Sequence, residues 1–185
     1  MGRFVGRTAE LAWLSPALDT MLAGRGSVVL LAGEAGIGKT RLTAELADRA
    51  GAAGAAVLTG RCIDLVGAGL PYLAFAEALR PVVDAGMFDD STPPSPRSGS
   101  DQPVRTGLQL RLFDRVRTAL GDLAETTPVL LVLEDLHWAD LSTLDLVSYL
   151  AGACREHRVL LVATYRTDEV RPNAPIQRMA TELVR

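Results

Sequence analysis

Val28-Val29-Leu30-Leu31-Ala32-Gly33-Glu34-Ala35-Gly36-Ile37-Gly38-Lys39-Thr40 is the stretch that decides the fold. Its first five residues are apolar without interruption, the pattern of a strand covered on both faces in a parallel sheet. The next eight spell GxxxxGKT, after which Leu42 and Leu46 recur at helical spacing. Strand, glycine loop and helix in that order are the context in which this motif cradles phosphate. Glycines let the chain turn tightly, so that consecutive N–H groups converge on phosphate oxygens. The helix N-terminus adds its partial positive charge. Lys39 brings a mobile point charge to the β- and γ-phosphates, and the Thr40 hydroxyl is a ligand for Mg²⁺. At a glycine usage of roughly 7%, chance produces such a match in well under one chain in a hundred.

Composition narrows the ligand. Of the 19 basic residues, eighteen are Arg and Lys39 is the only lysine. Guanine-specific proteins of this loop class generally read their base with an Asn/Thr-Lys-x-Asp segment, which a chain with one lysine cannot contain. ATP is therefore the expected triphosphate. A formal charge of −3 gives no electrostatic reason to expect nucleic acid or an anionic membrane as partner. The N-terminal MGRFVGRTAE has no apolar stretch, so no signal peptide is read there. No apolar run approaches the ~18 residues that span a bilayer, and a cytoplasmic protein is expected. Cys62 and Cys154 lie far apart and read as buried free thiols. His137 and His157 lack metal-ligand spacing, so no metal site built from protein side chains alone is expected.

Outward from the loop, the apolar runs Val129-Leu130-Leu131-Val132-Leu133 and Val159-Leu160-Leu161-Val162-Ala163 read as further buried strands, and residues 55–59 as a weaker fourth. Helical stripes fill the gaps. Leu11, Leu14, Leu18, Met21 and Leu22 form one, which Pro16 is expected to kink or split. Pro71 suits the first turn of a helix carrying Phe75, Leu79 and Val82. Leu108, Leu112, Val116, Leu120 and Leu123 form another, and Leu141, Leu144, Val147 and Ala151 a last. Alternating strands and helices predict an α/β fold, a P-loop NTPase-type three-layer sandwich with a mostly parallel sheet. Residues 1–185 read as one ATPase domain, in which the Pro/Ser-rich stretch 85–103 is a mobile surface loop.

The third run ends in Glu134-Asp135. Carboxylates at the C-terminal end of a buried strand sit where open α/β sheets bind ligands. One would serve the Mg²⁺ shell and the other would orient or deprotonate an attacking water. Asp140 is better placed to cap the helix that follows. Should the fourth run lie between the other two main strands, Thr164 or Arg166 would point toward the γ-phosphate.

FVGR at 4–7, AGEAGIGKTRL at 32–42, LTGRC at 58–62, GLPY at 69–72, LVLEDLHWAD at 131–140 and VATYR at 162–166 occur in a telling order. That order resembles the STAND class of signal-transducing ATPases, most of all the ATPase region of large LuxR-type and MalT-like bacterial regulators. The resemblance implies nucleotide contacts from Val5, Gly6 and Arg7, which would lie against adenine and ribose. It implies further contacts from Gly33, Glu34, Ala35, Gly36, Ile37, Gly38, Lys39, Thr40 and Arg41. It makes Thr40, Glu134 and Asp135 the Mg²⁺-side residues, and Asp135, Lys39 and Arg166 the catalytic ones, with Arg166 as first sensor. ATP and ADP would act as a switch with slow hydrolysis. Glu134 stands where Asp is usual, and Asp135 where a longer Glu would meet the water, so turnover is expected to be slow. Relatives continue into a further strand, a helical lid and sensor domains. The sheet is thus expected to stop short of its last core strand and lid, leaving the phosphate-loop strand with an open edge for self-association or further domains. Two other readings stay open: a stand-alone phosphoryl-transfer enzyme such as a small-molecule kinase, and a nucleotide-binding interaction module that hydrolyses nothing.

Overall fold

The computed structural model describes residues 8–64, 71–83, 102–170 and 174–183. The three uninterrupted apolar runs and the weaker one become strands: β1 (Ser27–Gly33), β2 (Ala56–Arg61), β3 (Val129–Glu134) and β4 (Val159–Arg166). They form one parallel sheet in the order β1-β4-β3-β2. All six residues of β3 and the first six of β4 are buried. Such strands can be apolar throughout because helices cover both faces.

On one face, α1 (Thr8–Leu22) and α2 (Lys39–Ala52) set Leu11, Leu14, Met21 and Leu46 against Leu130, Val132, Leu160 and Val162. On the other lie α3 (Leu73–Leu79), α4 (Gln102–Thr126), α5 (Leu141–Cys154) and α6 (Pro175–Leu183). There Phe75, Leu79, Val116 and Val147 meet Leu131, Leu133 and Leu161. Alternate residues of β3 thus feed two cores, which is the three-layer sandwich expected. Among the described residues no helix is long and apolar enough to cross a membrane.

Local expectations needed correction in several places. Pro16 does not split α1, which runs unbroken through it. Ala12 and Pro16 both face solvent, so the carbonyl that Pro16 cannot serve is open to water while Leu14 and Leu18 anchor both halves. Pro71 precedes its helix rather than opening it, because Tyr72 adopts a left-handed conformation at the N-cap (φ 61°). That helix also stops before Val82, since Pro81 lacks the donor to continue it. Finally, α4 begins at Gln102, inside the stretch read as loop, with Pro103 tolerated in its first turn. The rest of that loop lies outside the described residues. Leu108 and Leu141, read as core, are half or more exposed, while Phe113 is buried.

Gly60 of LTGRC has a specific reason. A Cβ there would stand 1.8 Å from the Ala74 carbonyl oxygen, so α3 can lie on β2 only above a glycine.

Candidate functional site

The C-terminal ends of β1, β4, β3 and β2 line up along one edge of the sheet, and the sequence-selected residues gather there. β1 ends at Gly33 and α2 begins at Lys39. Between them Gly36 (φ 71°) and Gly38 (φ 94°) are left-handed, a region open to glycine and strained for most side chains. A Cβ on Gly33 would meet Ile37 Cγ2 at 3.2 Å, so the loop closes tightly on its own base. Lys39 Nζ folds back and donates to the carbonyls of Gly33 (2.8 Å) and Glu34 (2.9 Å). The chain after β4 fastens onto the same loop: Thr167 N–H donates to the Gly33 carbonyl (3.3 Å) and Ala35 N–H to Asp168 Oδ2 (3.3 Å).

The acid end is made of side chains. Glu134 is 5% exposed, a burial that a carboxylate tolerates only with partners. Its Oε1 accepts from the Thr43 hydroxyl (3.0 Å), which also faces the Thr40 carbonyl (3.0 Å), so one proton is shared between loop helix and acid. Its Oε2 accepts from the Arg61 guanidinium. Asp135 takes a left-handed conformation (φ 59°, ψ 41°), a cost of about 1 kcal/mol for a residue type that tolerates it. That turn is pinned by its N–H donating to Thr164 Oγ1 (3.1 Å). Asp140 caps α5 as expected, accepting from Ser142 N–H (2.8 Å) and Thr143 N–H (3.1 Å). The Thr143 hydroxyl donates to Asp140 in turn and accepts from Tyr72 N–H (2.9 Å), tying GLPY to the acid segment.

Among the described residues, four polar residues are buried over their whole surface, Thr43, Glu134, Thr143 and Thr164, and the His137 side chain is buried as well. Thr43, Glu134 and Thr164 belong to the network at the end of β3, and Thr143 to the Asp140 cap beside it. Polar burial is costly, so its concentration at one strand edge singles that edge out as the candidate site.

β4 does lie between β1 and β3, the condition set for Thr164 and Arg166. Thr164 goes to Asp135. Arg166 sits in register beside Gly33, at the base of the loop, but its guanidinium is paired with Glu169 three residues on. Glu169 also approaches His137 Nε2 to 3.2 Å without hydrogen-bond alignment. The imidazole is buried with neither nitrogen hydrogen-bonded, and that burial holds it below its ordinary titration range against the pull of Asp135 and Glu169. Val5, Gly6 and Arg7 lie outside the described residues. Arg41 is exposed on α2.

Sequence reading missed Thr43, Arg61 and the acidic pair Asp168 and Glu169. Arg61 had one signal, its place in LTGRC. The others gave none, since their partners are 91 and 133 residues away or lie in a turn.

Beside the loop, Trp13, Leu31, Ile37 and Leu42 line an apolar cleft of about 360 Å³ that also reaches Lys39. Trp13 is 67% exposed at its rim. The loop geometry, the buried Glu134 and the hydroxyl bridge to Thr40 fit a nucleotide with its divalent cation.

Strand order, glycine loop and acid end define a P-loop NTPase-type domain. The chain belongs to the AAA ATPase domain family, whose pattern it matches over residues 3–162. It is 28% identical to an uncharacterized protein of Rhizobium meliloti (strain 1021), over 89% of its own length. It spans only 19% of that protein. The fold is similar to that of a chain in Drosophila ORC bound to DNA, with TM-score 0.51, 16% identity, and coverage of 94% of this chain and 85% of that one. A chain in Drosophila ORC bound to AT-rich DNA and Cdc6 gives TM-score 0.50 and 15% identity, covering 94% of this chain and 51% of the other. At these identities the likeness is one of fold.

Proposed function

We propose that residues 1–185 form an ATP-dependent switch domain that binds ATP or ADP with Mg²⁺ at residues 33–40 and hydrolyses ATP slowly. The observation that carries this reading is the loop itself, with two left-handed glycines and a lysine folded into its mouth, facing a buried carboxylate across the sheet edge. Backbone N–H groups of the loop and the start of α2 would hold the phosphates, with Lys39 turning from the carbonyls of Gly33 and Glu34 to meet them. The base would enter the Trp13 cleft, and the resemblance adds Val5, Gly6 and Arg7 as contacts to adenine and ribose. Thr40, Glu134 and Asp135 would hold the cation, which neutralises developing charge on the phosphate oxygens. Asp135 would orient the attacking water, and Arg166 would report the γ-phosphate once released from Glu169. The short Asp135 side chain, fixed in a strained turn, supports slow turnover.

The signalling role follows the resemblance to LuxR-type and MalT-like regulators, in a cytoplasmic protein. The open edge of β1 would be completed by further domains or a second copy. Calorimetry of ATP and ADP binding to the wild type and to Lys39→Ala tests the reading, with a fall of at least ~100-fold, about 2.7 kcal/mol, expected for the variant. Equal affinities would overturn it. ATP binding with no detectable phosphate release, unchanged by Asp135→Asn, would remove hydrolysis from the proposal and leave a binding module.

A further inference from the structure

We propose that Arg61 is a resident counter-ion of Glu134, occupying the carboxylate oxygen that a divalent cation needs, so that metal enters the site only in company with nucleotide. The inference rests on the reading of residues 33–40 and 134–135 as a nucleotide and cation site.

The placement comes from strand register. β2 and β3 run parallel with Arg61 opposite Glu134, and Cys62 N–H donates to the Glu134 carbonyl (2.9 Å), locking the two strand ends together. From there one guanidinium reaches both acids. Its Nη2 and Nε donate to Glu134 Oε2, the latter at 3.2 Å, and Nε lies 3.7 Å from Asp135 Oδ2. The other Glu134 oxygen accepts from Thr43. Both oxygens are thus engaged, and the one open to exchange is the one under Arg61.

The two partners differ in how they sit. Glu134's side chain is 6% exposed and that of Arg61 49%. The carboxylate is committed to the interior and must always have a counter-charge. The guanidinium lies half in water and can leave without stranding its own charge, so the cation is the exchangeable member. Arg does not lose its proton at any working pH, and the bond to Glu134 strengthens that hold further. Relief of the pair has to come from a competing cation. A free divalent ion would have to expel Arg61 unaided, whereas one arriving with a triphosphate brings anionic oxygens that can receive the displaced guanidinium.

The test uses Mn²⁺ alone, followed by loss of the free-ion electron paramagnetic resonance signal, on the nucleotide-free chain. Arg61→Gln is expected to bind one Mn²⁺ at least ~10-fold more tightly than the wild type, and Arg61→Lys, which restores the charge, to fall back within ~3-fold of it. With ATP present the wild type and Arg61→Gln should converge. Equal Mn²⁺ affinities without nucleotide, or weaker binding by Arg61→Gln, would overturn the proposal. Should Arg61→Gln fail to fold, Mn²⁺ is expected to restore its cooperative melt by replacing the lost counter-charge, and failure to do so would be equally fatal. The two readings separate cleanly: equal Mn²⁺ affinities with ATP binding still dependent on Lys39 sink Arg61's role alone, while a Lys39→Ala chain that binds ATP normally sinks the site.

Discussion

The phosphate loop and the acid end face each other across one sheet edge, yet they are held in opposite ways. Residues 33–40 are exposed or half-buried, shaped by glycine dihedrals and by hydrogen bonds to backbone carbonyls. The end of β3 is held by side chains from three elements, with Thr43 from α2, Arg61 from β2 and Thr164 from β4. A backbone-made cradle can change its ligand without disturbing the core. A side-chain network built into the core cannot lose a member without unsettling the fold. The difference separates the residues whose loss affects binding from those whose loss affects stability.

Lys39→Ala probes the first half most severely. Its large loss of ATP affinity should come with a change in stability within about 0.5 kcal/mol, as for a surface substitution, read by denaturant melts. A clearly lower stability would show that the loop is tied to the core after all. On the acid side, Asp140→Ala removes the cap of α5 and the Thr143 anchor, for an expected loss of about 1–2 kcal/mol. In a chain of this size that lowers the melting temperature by about 2–4 °C per kcal/mol, while nucleotide affinity holds. Thr43→Val takes the shared hydroxyl from Glu134 and should cost about 1–2 kcal/mol, although Thr43 stands on the same helix as Lys39. An effect on ATP affinity without one on stability would blur the division. Asp135→Gly relieves the left-handed turn and should stabilise the chain by about 0.5–1 kcal/mol while abolishing phosphate release.

The smallest effect near neutral pH concerns the thiols. Burial pushes Cys62 and Cys154 up to about 12 from 9.0, so the folded state keeps protons that the unfolded chain gives up. Stability is therefore expected to fall as pH climbs from about 9 toward about 12. The double variant Cys62→Ala, Cys154→Ala should show a shallower alkaline decline in urea midpoints.

Much of the fold was legible because its cues are local. The three uninterrupted apolar runs have the length and composition of strands covered twice, and with the weaker run at 55–59 all four were read within a few residues of their ends. GxxxxGKT after such a run specifies its own geometry through glycine, whose left-handed dihedrals depend on residue type more than on distant contacts. Helix boundaries were less legible where a remote partner sets them. Tyr72 delays α3 through Thr143, 71 residues away, and nothing in GLPY announces it.

For the acid end, Glu134 and Asp135 were found from their place at the end of an apolar run, but their partners were not. Register across β2 and β3 brings Arg61 to Glu134, and the turn after β4 pairs Arg166 with Glu169. The sequence by itself determined the layered α/β plan, the phosphate loop and the position of its lysine, since each follows from short-range periodicity and dihedral preference. Only the tertiary structure decided the strand order and which charges meet at its edge. Ion pairs depend on distances of a few ångströms between residues far apart in the chain, and packing alone sets those distances.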